Sequence, residues 1–479
     1  MELQDEDCCL AFVDSCGGEE RYSLAQAVGL AREVARRLRP RLTQPSSAVA
    51  VDLPNRPLFV WALLACALLG RPFVALNHRL SPDEKRLRLG QLEGRLEIGA
   101  TIDEGWMLAA AGKDSGEPVT ALDADAGPDD ILRAADPDAV AVVMFTSGTT
   151  GTPKAAALTW RNLLASAEAS NESLQCGAKS LWQGVLPLYH IGGLQVALRS
   201  LVAGCPLRLY ARFDADRVLE DARRCGATHI SVVDKVLRDL VEADRRLGGH
   251  VLPGYRCLLL GGAALNEATV AAARDAGARV YASYGMTETA SQVANRLVDG
   301  SFDGGLRLLP GVEARILDPD ADGAGELALR GPSVIGGYLN APARRDSDGF
   351  FLTNDRASMR GGLLYVCERI DDLFISGGEN VYPAEIESCL NQVEGVSASC
   401  VLGVPDETWG RRPAALIESS LDPRVAEKRA REHAQRCLSA LSRPDVVIAV
   451  REMPRQGIGK PDRAAVRALL EERLKHCRE

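Results

Sequence analysis

Short, almost continuously apolar runs alternate with longer stretches of helical periodicity through the first 260 residues, and this alternation most narrows the folds open to the chain. Ala48–Leu53, Pro72–Leu76, Leu207–Tyr210, His229–Val233 and Cys257–Leu260 read as strands buried on both faces. Between them lie helical segments. Ser23 is placed to cap a helix with apolar Leu24, Val28, Ala31, Val34, Ala35 and Leu38 before Pro40, and Leu58–Gly70 is a run of about a dozen apolar residues. That run is too short for a membrane span, which needs about 20 residues, so it reads as a buried core helix. Strand–helix–strand repetition predicts an α/β fold with mostly parallel sheets flanked by helices in αβα layers.

The pattern changes after about Gly305. Val312–Leu317, Gly325–Leu329, Phe350–Leu352 and Leu363–Val366 are short β-like runs with Gly-rich turns, which predict a small β-barrel-like subdomain or sheet. Beyond Arg369 a compact α+β segment is expected. Its elements are a helix opened by Pro383 and running to about Asn391, strands Val396–Val404 and Val446–Val450, and a last helix Arg463–Leu474. Asp103–Asp138, acidic and weakly periodic, reads as a variable connector. At 479 residues two or more domains are the default, and the expected division is 1–369 and 370–479.

The net charge of −9 argues against nucleic acid as the main partner, since that normally needs a basic face. Thirteen cysteines occur without a C-x-x-C pair, and the six histidines show no metal-ligand spacing. An odd number of cysteines and an acidic N-terminus unlike a signal peptide favour a reducing cytoplasm.

The chemistry concentrates in motifs. Phe145-Thr146-Ser147-Gly148-Thr149-Thr150-Gly151-Thr152-Pro153-Lys154 follows an apolar run. Glycines let backbone N–H groups close on an anion, the hydroxyls add donors and Lys154 adds charge, which suits a polyphosphate. Two residues between Gly148 and Gly151, and Pro153 before the lysine, exclude the common P-loop. Downstream come PLYHIGG (Pro187–Gly193), LGGAA (Leu260–Ala264), SYGMTET (Ser283–Thr289), Thr353-Asn354-Asp355, ERIDD (Glu368–Asp372), SGGEN (Ser376–Asn380) and GIGKP (Gly457–Pro461).

In order and approximate spacing these motifs resemble the adenylate-forming superfamily of acyl-CoA synthetases, adenylation domains and luciferases, over nearly the whole chain. Within it, His229–Val241, Tyr255–Leu265, Ser283–Gln292, Leu352–Arg356 and Asp372–Glu387 are most similar to the o-succinylbenzoate–CoA ligases of menaquinone biosynthesis. The resemblance implies a large N-terminal domain, a small mobile C-terminal domain and a two-step reaction. A carboxylate attacks the α-phosphorus of ATP to give an acyl-adenylate, and CoA then displaces AMP. Mg²⁺ is the implied cofactor, a small-molecule acid with ATP and CoA the implied partners, and a homodimer is compatible with it. An enzyme for another aryl or fatty acid, or one that loads a carrier protein, remains an alternative.

The implied roles are specific. Thr146, Ser147, Gly148, Thr149, Thr150, Gly151 and Lys154 wrap the β- and γ-phosphates. Gly262, Ala263, Tyr284, Gly285 and Met286 complete the nucleotide site, Thr287 donates to the α-phosphate and Glu288 holds Mg²⁺. Asp355 accepts from the ribose hydroxyls beside Arg369, and Lys460 bridges the acyl carboxylate and α-phosphate. His190, Gly192, Gly193, Gly261, Ser283, Ser291 and Gln292 line the acid pocket, the glycines leaving room for a flat ring. Asp371 is the hinge, with Gly377, Gly378 and Glu379 beside the CoA path. Two departures stand out: Asn354 where relatives usually have glycine, and Ala155 where most have glycine after the loop lysine, which is expected to stiffen the loop slightly.

Overall fold

A computed structural model describes residues 8–109, 126–146, 153–262, 265–369, 374–376, 379–381, 383–406, 410–438, 442–456 and 459–478. They form two compact units. One comprises residues 1–262, 272–314 and 329–351, the other residues 263–271, 315–328 and 352–479. The second unit begins earlier in the chain than the expected boundary at 369/370.

Two sheets organise the first unit. A nine-stranded sheet runs in the order Arg307–Leu308, Ser291–Leu297, Val280–Met286, Cys257–Leu260, His229–Val232, Trp182–Gly184, Leu207–Tyr210, Cys8–Val13, Glu19–Ser23. Its six central strands are parallel and its edges antiparallel. A five-stranded sheet runs Glu97–Ile102, Ser47–Val51, Phe73–Ala75, Val140–Thr146, Lys154–Thr159, with only the last pair antiparallel. Val49, Val51, Phe73 and Val142 are fully buried, as strands covered on both faces require.

The helix predicted at Ser23 spans Leu24–Leu38. The Ser23 hydroxyl accepts from the Gln26 N–H while the Gln26 side chain accepts from the Ser23 N–H, closing a capping box. Ala27, Val28, Ala31, Val34, Ala35 and Leu38 are buried, whereas Leu24 lies outside the packed stripe and is 47% exposed. The apolar helix spans Pro57–Leu69 and is buried on nearly every side, ending at Gly70 in the left-handed conformation (φ 59°) that glycine adopts without strain. No helix among the described residues is long and apolar enough to cross a membrane.

A four-stranded sheet follows in the order Glu313–Leu317, Ala324–Arg330, Phe351–Arg360, Leu363–Arg369, so the expected β subdomain takes the sheet form. In the C-terminal part, strands Val396–Asp406, Gly410–Ser419 and Val446–Val450 make a three-stranded sheet. Its alternating residues fill two cores. Val401, Ala415, Ile417 and Val447 pack with Ile386, Leu390, Ala426, Ala430 and Ala434 from the Pro383–Leu390 and Pro423–Cys437 helices. Cys400, Leu402, Val404, Ala414 and Leu416 pack with Val466 and Leu470 of the Arg463–Arg478 helix. One face of a strand thus serves each layer, as the two-residue period dictates.

Candidate active site

The ends of the Gly/Thr loop are fixed by antiparallel pairing, with Thr146 opposite Lys154 and Phe145 opposite Ala155. Ser147, Gly148, Thr149, Thr150 and Gly151 lie outside the described residues. Ala155 is not part of the loop: it is a fully buried strand residue whose N–H donates to the Asn340 side-chain oxygen at 2.8 Å. The methyl group therefore fills core, and the expected stiffening of the loop has no counterpart there.

Glu288 sits on a 3₁₀ turn, Thr287–Thr289, at the end of the Val280–Met286 strand. Its side chain is buried (6% exposed), which a carboxylate tolerates only with hydrogen-bond donors around it. Tyr338 supplies one, its hydroxyl donating to Oε1 at 2.7 Å, and the Thr146 hydroxyl lies within 3.5 Å of the same oxygen. The backbone is held as well, the Ile335 N–H donating to the Glu288 carbonyl at 2.9 Å. The turn is fastened by the Thr289 hydroxyl, which accepts from the Met286 N–H at 2.9 Å, and by Ser166, which donates to the Ala290 carbonyl at 2.8 Å.

Ala290 (φ 51°) and Ser291 (φ 104°) both take positive φ, a conformation non-glycine residues rarely adopt and one often found at functional turns. Gly285 is obligatory here. A Cβ added at it would lie 2.0 Å from the Ser291 carbonyl oxygen, so the turn folds back directly on the strand.

A strap at Gly337–Asn340 does what no motif announced. Asn340 donates to the Pro153 carbonyl at 2.9 Å, and the Leu339 N–H donates to the Ala155 carbonyl at 2.9 Å. This pairing places the Tyr338 ring with its hydroxyl on Glu288 and its face 5.3 Å from Lys154 Nζ. Tyr338 thus touches both the anionic and the cationic group of the site. The only sequence signal for it was Gly336-Gly337-Tyr338-Leu339-Asn340, an unremarkable turn by composition.

The expected acid-pocket residues separate into two kinds. His190 precedes the Ile191–Ala203 helix and packs against Tyr189, ring centroids 4.6 Å apart. Gly192 would accept a Cβ without a clash, in ordinary contact with Leu186 at 3.7 Å. Ser283 is half-buried and donates to the Leu260 carbonyl at 2.8 Å. Gly193, in contrast, would place a Cβ 2.1 Å from the Pro187 carbonyl oxygen. Its missing side chain makes room for backbone, not for a ring. Gly261 faces the Ser283 hydroxyl in the same way, and Gly262 takes φ 92°. Gln292 is also structural, because its buried amide donates to Ser170 and accepts from Asn295.

Arg199 was overlooked by sequence reading, since a lone arginine in an apolar helix carries no motif. It is 1% exposed, and among the described residues no carboxylate pairs with it. One guanidinium nitrogen donates to the Ser291 hydroxyl at 3.2 Å, and the group lies 5.8 Å from the Trp182 ring centroid. Burial pushes it down to about 10, opposed only in part by the nearby Cys257 and Cys176 thiols.

In the second unit, Asp355 is 7% exposed and lies opposite Arg369 in the antiparallel pairing of Phe351–Arg360 with Leu363–Arg369. The strand is pinned by Thr353, whose hydroxyl donates to the Leu327 carbonyl at 2.8 Å and accepts from the Asp355 N–H at 3.1 Å. Asn354 has φ 64°. The backbone here needs the left-handed region, and asparagine is the side-chain-bearing residue that enters it most easily, which accounts for the departure from glycine. Lys460 is exposed on a short hairpin in which it pairs with Gln456, and the preceding Gly459 has φ 106°. Glu379 lies on the Glu379–Val381 strand paired with Phe374–Ser376. Ala263, Asp371, Gly377 and Gly378 lie outside the described residues.

A family model described as AMP-binding enzyme matches residues 6–339, and one described as AMP-binding enzyme C-terminal domain matches residues 385–460. A Geobacillus kaustophilus protein named 2-succinylbenzoate–CoA ligase is 34% identical over 468 residues, covering 95% of this chain and 94% of its own length. The chain is also similar to solved structures of o-succinylbenzoate–CoA synthetase from Bacillus subtilis. The complex with the acyl-adenylate intermediate superposes with a TM-score of 0.79 at 29% identity, covering 97% of this chain and 96% of that one. The complex with ATP and magnesium gives 0.78 at 28% identity, covering 97% and 98%.

Proposed function

The chain belongs to the AMP-binding enzyme family, and from that premise we propose that it is an AMP-forming 2-succinylbenzoate–CoA ligase of menaquinone biosynthesis, working in the cytoplasm. The observation that carries the choice of acid is Arg199. 2-Succinylbenzoate has two carboxylates: one must be activated, and the other needs a cation in an otherwise apolar wall. A buried guanidinium without a carboxylate partner, beside Ser291, meets that need.

In the first half-reaction the carboxylate oxygen bonds to the α-phosphorus of ATP and the bond to pyrophosphate breaks. A carboxylate is a weak nucleophile approaching a polyanion, so the site has to offset charge and align the reactants. The loop between Thr146 and Lys154 holds the β- and γ-phosphates and Thr287 donates to the α-phosphate. The Glu288 carboxylate and Thr146 hydroxyl are oxygen donors of the kind Mg²⁺ prefers, and both come to one place, so the residues fit that ion. When bound, Mg²⁺ supplies screening of the phosphate charge. Tyr338 keeps the Glu288 carboxylate oriented. Asp355 and Arg369 take the ribose, and Lys460 bridges the acyl carboxylate and α-phosphate. In the second half-reaction the CoA thiolate attacks the acyl carbon and AMP leaves. A turn about Asp371 exchanges Lys460 for the segment of Gly377, Gly378 and Glu379 beside the CoA path.

The test is pyrophosphate release over a panel of acids, with and without CoA. The reading requires 2-succinylbenzoate to exceed benzoate and medium-chain fatty acids by at least about 30-fold in kcat/KM, the value of one buried charge pair. Equal turnover of monocarboxylates would show a different acid ligase.

A further inference from the structure

We infer that the C-terminal part carries a thiophilic divalent-cation site, suited to Zn²⁺, formed by Cys389, His433 and Cys437. These side chains each offer one ligand atom, and the three atoms lie within 4.8 Å of one another. Among the described residues this is the one set of three such groups so gathered.

The geometry follows from two packed helices. His433 and Cys437 are four residues apart on the Pro423–Cys437 helix and therefore share a face, with Nε2 and Sγ 3.4 Å apart. Cys389 comes from the Pro383–Leu390 helix, which packs on the same core through Ile386 and Leu390 against Ala426, Ala430 and Ala434. The i, i+4 pair of His433 and Cys437 supplies only two ligands, and because the third, Cys389, lies far upstream, the full set is not visible in the sequence.

Tetrahedral Zn²⁺, with bonds of about 2.3 Å to sulfur and about 2.0 Å to nitrogen, sets its ligand atoms roughly 3.5–3.8 Å apart. The His433–Cys437 separation is already close to that, and the remaining distances need to close by no more than about 1 Å. Two thiolates and an imidazole favour Zn²⁺ over the oxygen-seeking Mg²⁺ of the nucleotide site, so the two ions do not compete. Cys437 is exposed and His433 half-buried, which gives an entry path and leaves a fourth position to water. The bound ion would clip together the two helices, the first of which directly follows the Glu379–Val381 strand.

The experiment uses the full chain, reduced and stripped with chelator, then titrated with Co²⁺ as a coloured probe and back-titrated with Zn²⁺. One equivalent of Co²⁺ should give sulfur-to-metal charge-transfer absorption and intense tetrahedral visible bands, both removed by Zn²⁺. Cys437→Ser, at an exposed position, should roughly halve the charge transfer and weaken binding at least about tenfold. His433→Ala should keep the charge transfer while weakening binding, with circular dichroism showing both variants folded. No charge-transfer band in the wild-type chain overturns the inference. So does a band unchanged by Cys437→Ser, which would put the metal on other thiols. A Cys389–Cys437 disulfide in the purified chain that yields no metal uptake after reduction overturns it equally.

Discussion

Replacing Arg199 with methionine should lower catalysis and leave stability intact or improved, and the opposite signs make this substitution informative. The guanidinium is 1% exposed, has no carboxylate partner among the described residues, and is held down to about 10 by burial. That fall from its ordinary value corresponds to a charged form disfavoured by on the order of 3 kcal/mol in the folded chain. Methionine removes this cost at similar side-chain length. It gives up one hydrogen bond to Ser291 and the contact with Trp182, together worth about 1–3 kcal/mol. The unfolding free energy should therefore stay within about 1 kcal/mol of wild type or rise. Toward a dicarboxylate the same change removes a desolvated charge pair worth about 2–5 kcal/mol, or roughly 30- to 5,000-fold in kcat/KM. Toward an aryl acid with a single carboxylate, kcat/KM should change less than about threefold. The assay is coupled pyrophosphate release on both acids, beside urea unfolding. Equal losses on the two acids, or a destabilisation beyond about 2 kcal/mol, would refute the reasoning.

Four further changes probe other parts of the account. Tyr338→Phe removes the donor on Glu288 while keeping the ring over Lys154, so adenylation should fall about 10- to 100-fold and need more Mg²⁺ to saturate; an unaltered Mg²⁺ dependence would remove Tyr338 from the site. Asn354→Ala should cost about 1–2 kcal/mol at its positive φ, whereas Asn354→Gly should be near neutral in chemical denaturation; equal costs would mean that φ is not the reason. Burial lowers the His229 imidazole below its ordinary value, so the folded chain binds the proton less readily than the unfolded one. Its stabilising contribution is complete above about pH 6.5 and is lost as pH falls below that, and unfolding midpoints from pH 5 to 8 should show a slope that His229→Gln flattens. Lys460→Ala should cut adenylation about 10²- to 10³-fold and largely spare thioester formation from preformed acyl-adenylate; equal loss in both half-reactions would contradict its role.

Much of the architecture was legible because it rests on periodicity. Ser23 with Gln26, and the uniformly apolar Pro57–Leu69 helix, declare themselves by local chemistry that the tertiary structure keeps. The Gly410–Ser419 strand, central in the C-terminal sheet, was missed because Arg411, Arg412 and Pro413 fill its first half and leave only Ala414–Ile417 as an apolar run. The site was legible only where motifs are contiguous. Glu288 and Asp355 announce themselves this way, but Tyr338 and Arg199 act through contacts with residues far away in the chain, Glu288 and Ser291. Glycines were the least readable. Gly193 and Gly285 look alike with Gly192 in sequence, yet the first two yield to neighbouring carbonyls while the last would take a Cβ without a clash.

The central claim is that this chain activates 2-succinylbenzoate as its adenylate before any thiol is present. Isotope exchange between labelled pyrophosphate and ATP, run with 2-succinylbenzoate and Mg²⁺ and without CoA, tests it directly. The account predicts steady exchange that requires the acid and is abolished by Glu288→Ala. Exchange absent with every acid, or present without any acid, would contradict it.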